Sequence, residues 1–552
     1  MGKRASGCHG ALLAALLALA ALPAAADERA TDAALLQAGA AAADQGDAAT
    51  AFALFRRLAI EEVPEAQRRL AALIEAAPDA RPTDWREAAY WYGRAAGLGD
   101  GPAMMALASL WSEGKVGTIQ ELGKKVPWQG EAVRWLTAAD RAGVPEAKPA
   151  LDALAERAPL GAALIRRADG DDAAARAALQ ALARGGSLEA AYWLGAMTEA
   201  GEGGPADPPG AIRWYGEGAH SGEPHATLAL GRLYETGAAG VPPNRDRAFQ
   251  AYSAARARGM AAEAAAGIGR LDLEKRRIKL PPGLPGALRA VQEGEAGLGI
   301  ALLRPMAAKG DADSQYWLAA LLGEGRGGER DEAIRWYRAA ALQGDSEAAY
   351  QLALLLAPGR GLDQRGRSLG DAALMVRWLT RAAEAGHHDA ALALGGAYND
   401  GTGVARDAAA ASRWLGRAQE IEAALPLLTR PTCVEDAAAP ALLPAFLACN
   451  RGDAGAVGGI LLPLAAAGDA RAQAWLAYLL TGATGGGGFN PMLRPNLQRA
   501  AAWYAKAAAQ GLPSAMYDYS VLLAHGAGVP PDEATAKQWA DEAAAAGFKP
   551  PQ

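Results

Sequence analysis

The sequence predicts an all-α solenoid built from repeated helix pairs, and three observations carry that prediction. One spacing recurs from end to end: a Trp, Ala four and five residues later, and Gly at the eighth. It is seen at Trp91 to Gly99, Trp336 to Gly344, Trp378 to Gly386, Trp503 to Gly511 and Trp539 to Gly547. The 552 residues exceed the roughly 250–300 that one hydrophobic core usually fills, so they need several domains or an open stack. Half the residues are hydrophobic but only 6% aromatic, with 67 Gly, which suits close helix packing and excludes disorder. A fixed internal period means that each unit buries its apolar face against its neighbours.

Residues 1–26 read as a secretory signal peptide. Lys3 and Arg4 form the positive start, Ala11 to Leu22 the apolar run, and Ala24-Ala25-Ala26 a cleavage site before Asp27. The run is too short for a membrane span, and nothing later offers about 20 unbroken apolar residues. Cys8 precedes the run, the wrong place for a lipoprotein cysteine. We therefore expect a soluble exported protein, periplasmic or secreted, with an uncleaved N-terminal anchor as the rival reading. The formal charge is −6, and −8 once Lys3 and Arg4 are removed (−6 − 2). A mildly acidic surface argues against nucleic acid or an anionic bilayer as the main partner.

With the Gly that ends the Trp helix as anchor, thirteen units can be placed. The anchors are Glu62, Gly99, Gly143, Gly186, Gly222, Gly259, Gly310, Gly344, Gly386, Glu422, Gly468, Gly511 and Gly547, mostly about 36 residues apart or some seven more. The first helix of a pair follows each anchor. Ala226, Leu230, Gly231 and Tyr234 form one copy and Ala390, Leu394, Gly395 and Tyr398 another, at offsets that share one helical face. The small residues let the partner helix approach, and Leu and Tyr fill the remaining space. A glycine-rich turn follows (Gly237 to Pro242, Gly401 to Val404, Gly526 to Pro530), supplying left-handed backbone at the helix end. Asp246, Asp407 and Asp532 then suit capping or early positions of the second helix.

The anchors Gly186, Gly310 and Gly468 lack the preceding Trp, and each looks like the first unit of a block. The expected blocks are 27–160, 161–285, 286–430 and 451–552, with 431–450 as a linker. Lys275 to Gly286 is basic and proline-rich, a bend or joint. The linker holds Cys433 and Cys449, which in an oxidising compartment are a reasonable disulfide pair. Closing such a loop is worth about 3 kcal/mol on the chain-entropy estimate; two free buried thiols are the alternative.

The combined motif is A-x-x-x-L-G-x-x-Y, a G-x-G-V turn, then W-Y-x-x-A-A-x-x-G. It resembles the Sel1-like repeat, a relative of the tetratricopeptide repeat. The resemblance covers most of residues 50–548 and is most specific at Ala190–Gly222, Ala226–Gly259, Ala390–Glu422 and Ala515–Gly547. Ala251 stands where a Trp belongs, and Val144 to Ala158 is degenerate. The resemblance implies antiparallel helix pairs wound into a right-handed superhelix whose concave face binds other proteins, and it brings no catalytic residue. Length, export signal and block structure are more weakly similar to the alginate-export scaffold lipoproteins, whose lipidated cysteine has no counterpart here.

No constellation for catalysis or metal binding stands out. His220, His225, His387, His388 and His525 sit at or beside helix turns, without H-x-x-x-H or a Cys/His cluster of zinc spacing. No G-x-S-x-G elbow occurs. Gly482 to Gly488 reads as an enlarged turn and lacks the Lys-Ser/Thr ending of a phosphate loop. We expect no catalytic residue, cofactor or metal. Most of the fourteen tryptophans read as inter-repeat core. Trp85, Trp111 and Trp128 lie in or beside insertions and are candidate contacts for a partner or glycan, Trp128 foremost because Lys124 to Trp128 looks loop-like.

The expected function is a non-catalytic protein–protein interaction scaffold of the bacterial envelope, serving exopolysaccharide export or envelope signalling, with other envelope proteins and polysaccharide as partners. A glycan- or peptidoglycan-binding module is the alternative. A penicillin-binding or hydrolysing enzyme, as described for some cysteine-rich Sel1 proteins, comes third. A row of exposed aromatics would favour glycan, and a groove of mixed charge with Leu would favour protein.

Overall fold

Glycine sets the helix ends. Twelve of the thirteen anchors have left-handed backbone, from φ 63° at Glu62 to 102° at Gly259. The paired alanines explain the geometry: Gly99 N–H donates to Ala96 O and Asp100 N–H to Ala95 O, and Gly386 and His387 repeat this with Ala383 and Ala382. Two otherwise orphaned carbonyls are satisfied, at a φ that glycine adopts without a Cβ penalty. The next residue then caps the following helix. Asp100, Ser187, Asp311, Asp345 and Asp469 each accept the backbone N–H three positions on. Glu422 corrects the repeat layout. It lies inside a helix that runs Ala408–Ala424 and passes into a tight turn at Leu425–Leu427, so no unit ends there. Gly46, Gly170 and Gly294 make the same turn without the Trp-Ala-Ala signal.

A computed structural model describes residues 25–77, 82–116, 118–121, 124–220, 222–323, 328–359, 370–429, 440–450, 454–482 and 496–550. Residues 1–24, nearly all of the expected signal, lie outside these, as do Cys433 and most of the Gly482 to Gly488 stretch. The chain divides into two compact units, residues 1–302 and 303–552. The first holds α1 (Ala25–Asp44), α2 (Ala48–Ile60), α3 (Pro64–Glu75), α4 (Pro82–Gly97), α5 (Gly101–Ser112), β1 (Thr118–Glu121), β2 (Lys124–Pro127), α6 (Gln129–Arg141), α7 (Ala147–Arg157), α8 (Pro159–Ala168), α9 (Asp172–Arg184), α10 (Leu188–Ala200), α11 (Pro208–His220), α12 (Pro224–Thr236), α13 (Arg245–Ala257), α14 (Ala261–Lys275) and α15 (Leu284–Gln292). The division falls within α16 (Ala296–Ala308). The second holds α17 (Ala312–Leu322), α18 (Gly328–Leu342), α19 (Ser346–Leu356), α20 (Ala372–Glu384), α21 (His388–Asp400), α22 (Ala408–Ala424), α23 (Leu443–Asn450), α24 (Ala454–Ala466), α25 (Ala470–Leu480), α26 (Leu497–Ala509), α27 (Pro513–His525) and α28 (Glu533–Ala545).

The architecture is the expected all-α repeat solenoid, with neighbouring helices packed on one another within each unit. Among the described residues the exception is the antiparallel hairpin β1–β2, which pairs Thr118 with Pro127 and Glu121 with Lys124 in the insertion after α5.

The small residue of the first helix is there for an aromatic. A Cβ on Gly195 would lie 2.6 Å from the Tyr215 ring, and one on Gly231 would lie 2.7 Å from Tyr252. Each tyrosine then donates its hydroxyl to an acid near the end of the first helix: Tyr215 to Glu199 at 2.8 Å, Tyr252 to Glu235 at 2.5 Å and Tyr92 to Glu75 at 3.1 Å. Those acids in turn pair with Arg232, Arg270 and Lys115 of the next unit. The brace lets a buried phenol keep its hydrogen bond while tying three helices together.

Three of the units without the second-helix Trp use a different device. Gln67, Gln315 and Gln473 each donate a buried amide to the carbonyl eight residues back, at Ala59, Ala307 and Ala465, all at 3.0 Å. In the units opened by Gly186, Gly310 and Gly468 a tryptophan appears instead seven residues after the anchor, as Trp193, Trp317 and Trp475.

Within the second unit the stack departs from simple neighbour contact. Ile421, Ala424 and Leu428 share a core with Tyr478 and Tyr504. Arg499 reaches Asp313 at 2.7 Å, Asn496 reaches Asp345 at 3.2 Å, and Gly528 N–H meets Gly386 O at 3.3 Å. The last helices thus lie against turns of three earlier units. Cys449 takes part in a disulfide. Among the described residues no helix is long and apolar enough to cross a membrane.

Candidate interaction site

The site is built where the first unit interrupts its own pattern. α6 begins without a capping side chain of its own: its N-cap residue is Trp128. The cap comes instead from the unit opened by Gly186, one unit further on. Glu189, on the first turn of α10, accepts Gln129 N–H at 2.9 Å, Gly130 N–H at 2.7 Å and Trp193 Nε1–H at 3.2 Å. The negative carboxylate suits the positive end of a helix. Glu189 is 1% exposed, and burial pushes its carboxyl up to about 7 despite those three donors.

Trp128 corrects the expectation placed on it. It follows directly on the β2 strand, is 4% exposed, and stacks on His225 with centroids 4.1 Å apart. Tyr192 at 5.5 Å and Trp193 at 6.3 Å complete the cluster. His225 is fixed in turn by Glu223, whose carboxylate accepts the His225 backbone N–H and sits 2.8 Å from Nδ1. The insertion looked loop-like because its short strands contain lysines, whereas pairing in a hairpin delivers Trp128 to the core. Trp111 is half-buried against Trp128 and Leu188, and Trp85 is half-buried against the α1–α6 core. None of the three stands clear of the surface.

Beside this cluster opens a cleft of about 510 Å³. One wall is α6, where Gly130, Val133, Arg134, Thr137 and Arg141 recur at helical spacing. The other wall is the end of α8 with Arg167, the Gly170 turn and Asp172, closed by Glu202. Trp193 forms the floor with Leu164. Arg167 lies over the Trp193 ring at 5.0 Å and grips Glu202 with two bonds, at 2.7 and 3.1 Å. On its other side the ring edge is closed in, since a Cβ on Gly130 would sit 2.5 Å from Trp193. The lining is therefore mixed charge with aliphatics.

No three His, Cys, Asp or Glu side chains converge as a metal would require among the described residues. Phe249 is the one exposed large aromatic among them. Reading the sequence alone missed Trp193 and the arginines of α6. The available signal was the tryptophan displaced into the first helix of a Trp-less unit, together with arginines seven positions apart.

A sequence model of the Sel1 repeat matches eight segments, at residues 64–100, 188–223, 224–259, 312–345, 346–387, 388–418, 470–512 and 513–548, more than half of the chain. The seventh and eighth matches bracket the anchors Gly511 and Gly547, and the sixth stops short of Glu422, where the helix runs on. The chain is similar to a protective antigen present in uropathogenic Escherichia coli strains that displays an SLR fold, at 22% identity over 89% of this chain and 86% of that one, with a TM-score of 0.22. It is similar to a Sel1 repeat protein from Oxalobacter formigenes at 20% identity, covering 90% and 86%, with a TM-score of 0.14. A Sel1 repeat protein from Klebsiella pneumoniae subsp. pneumoniae matches at 20% identity over 40% of this chain and 99% of that one, with a TM-score of 0.18. No protein of curated function matches.

Proposed function

Since the chain belongs to the Sel1 repeat family, whose members generally serve as helical scaffolds for protein–protein interaction, we propose that it is a non-catalytic adaptor of the bacterial envelope. The observation that carries the choice of a protein partner is the lining of the α6–α10 cleft. Arg134, Arg141, Arg167, Asp172 and Glu202 surround Val133 and Leu164 there, and no row of open aromatic faces is present among the described residues. Sugar rings are held by stacking on a free aromatic face. Trp193 is covered by Arg167 and hemmed in at Gly130. A glycan therefore finds little there, whereas a polypeptide can use charge and aliphatic contacts together.

Export through the signal at residues 1–26, with a periplasmic or secreted location, fits the Lys3-Arg4 start and Ala24-Ala25-Ala26. A role in exopolysaccharide export or envelope signalling is the setting we favour. Affinity capture of the tagged chain from cross-linked envelope tests the reading. A stoichiometric protein partner supports it, and recovery of cell-wall or polysaccharide fragments without protein overturns it.

A further inference from the structure

We infer that the α6–α10 cleft takes an acidic, extended segment of the partner protein, with two of its carboxylates on Arg134 and Arg141. This rests on the scaffold reading above and names the chemistry of the partner.

The balance of charge within the cleft points this way. Glu202 is already matched by Arg167, which holds it with two bonds. Arg134 pairs with Glu131, three residues back on its own helix, and lies over the ring of its neighbour Trp135 at 4.8 Å, and its side chain is 63% exposed. An exposed ion pair of that kind contributes little to stability and exchanges readily. Arg141 makes no hydrogen bond or ion pair among the described residues and is exposed. Asp172, the remaining acid, sits in the first turn of α9, where the helix end already favours negative charge. What the cleft has left to offer is therefore basic, and guanidinium groups favour planar, bidentate carboxylates.

Spacing then selects the form of the segment. Arg134 and Arg141 are seven residues apart, two turns or about 10.5 Å along α6. In an extended segment of polyproline II form, with three residues per turn, residues three apart share one face and are separated by about 9 Å. Thr137 stands between the two arginines, while Val133 and Leu164 offer apolar contact to a side chain of the segment that lies between the two acids.

The test is fluorescence anisotropy with the full-length chain and a labelled, capped peptide carrying two glutamates three positions apart with leucine between them. Its glutamine isostere and an oligouronate serve as comparison ligands. We expect saturable binding of the glutamate peptide that weakens with salt. We expect the glutamine isostere to bind about tenfold more weakly, and Arg134→Glu or Arg141→Glu each to lower affinity about fivefold or more. Arg213→Glu, a 79% exposed arginine outside the cleft, should change nothing, and circular dichroism checks that all three variants fold. Equal binding of the two peptides, indifference to Arg141→Glu, no binding of the glutamate peptide, or its displacement by oligouronate overturns the proposal. Envelope capture separates this failure from that of the scaffold reading. Partners retained undiminished by Arg141→Glu leave the scaffold standing and remove the cleft, whereas no protein captured by the wild type removes the scaffold itself.

Discussion

At the level of single residues, glycine and tyrosine form a lock. Gly195 is required because Tyr215 lies flat against it, 2.6 Å from where a Cβ would be. Gly195→Ala should destabilise the first unit by about 1–3 kcal/mol through overpacking, read as a shift in the urea midpoint. Combining it with Tyr215→Ala should cost less than the sum of the two single changes; strict additivity would show that the two residues do not act as a pair. Buried acids set the response to pH. Burial raises Glu189 from 4.5 and Asp518 from 3.8, each to about 7. The folded chain therefore holds these protons more tightly than the unfolded one. Their contribution to stability is fully present below the unfolded values and is lost as pH rises toward 7. Glu189→Gln should flatten the fall in stability between pH 4.5 and 7, while costing about 1–3 kcal/mol at the acid end because an amide nitrogen then faces Gln129 N–H. An unchanged slope would exclude Glu189 as its source. The Gly of the L-G dipeptide was legible in the sequence as a close approach. Glu189 was not, since its partners lie 59 and 60 residues away and no spacing within α10 reports them.

At the level of helices, the repeat's ends were the most readable part. Trp, Ala-Ala and Gly encode the turn through local hydrogen bonds, so the anchors could be placed from spacing alone. Glu422 shows the limit of that signal. The Trp414 helix carries no Gly at its eighth position, and nothing there stops it before Ala424. The buried Gln67, Gln315 and Gln473 were missed because glutamine is ordinarily a surface residue; only its recurrence in Trp-less units marks it. Gln473→Leu should cost about 0.5–1.5 kcal/mol by removing its bond to the Ala465 carbonyl, which still accepts Gly468 N–H, and the acceptor of the Gln510 amide, and a neutral result in thermal unfolding would contradict this role. The 431–450 linker offers a separate check. We propose that Cys449, a disulfide cysteine, pairs with Cys433. Non-reducing peptide mapping should recover the two peptides linked, and alkylatable thiols at both positions would refute the pairing.

At the level of the whole chain, the solenoid was legible because its contacts are mostly local and therefore repeat. The return contacts of the second unit were not, since Arg499 to Asp313 spans 186 residues and leaves no periodic trace. Deleting residues 451–552 should preserve helicity in what remains, because each earlier pair keeps its neighbour. It should also lower the melting temperature of residues 303–450, where Ile421, Ala424 and Leu428 lose Tyr478 and Tyr504. Complete loss of helicity would mean that the blocks share one cooperative core. Function was legible only as a class: the sequence pointed to a scaffold, but the cleft on which we base the proposal of a protein partner is assembled from α6, α8, α9 and α10. The measurement that bears most directly on this conclusion is affinity capture of the tagged, full-length chain from cross-linked envelope, with mass spectrometry of what is retained. We expect a protein in stoichiometric amount, diminished by Arg141→Glu. Glycan fragments enriched with no protein alongside them would contradict the scaffold.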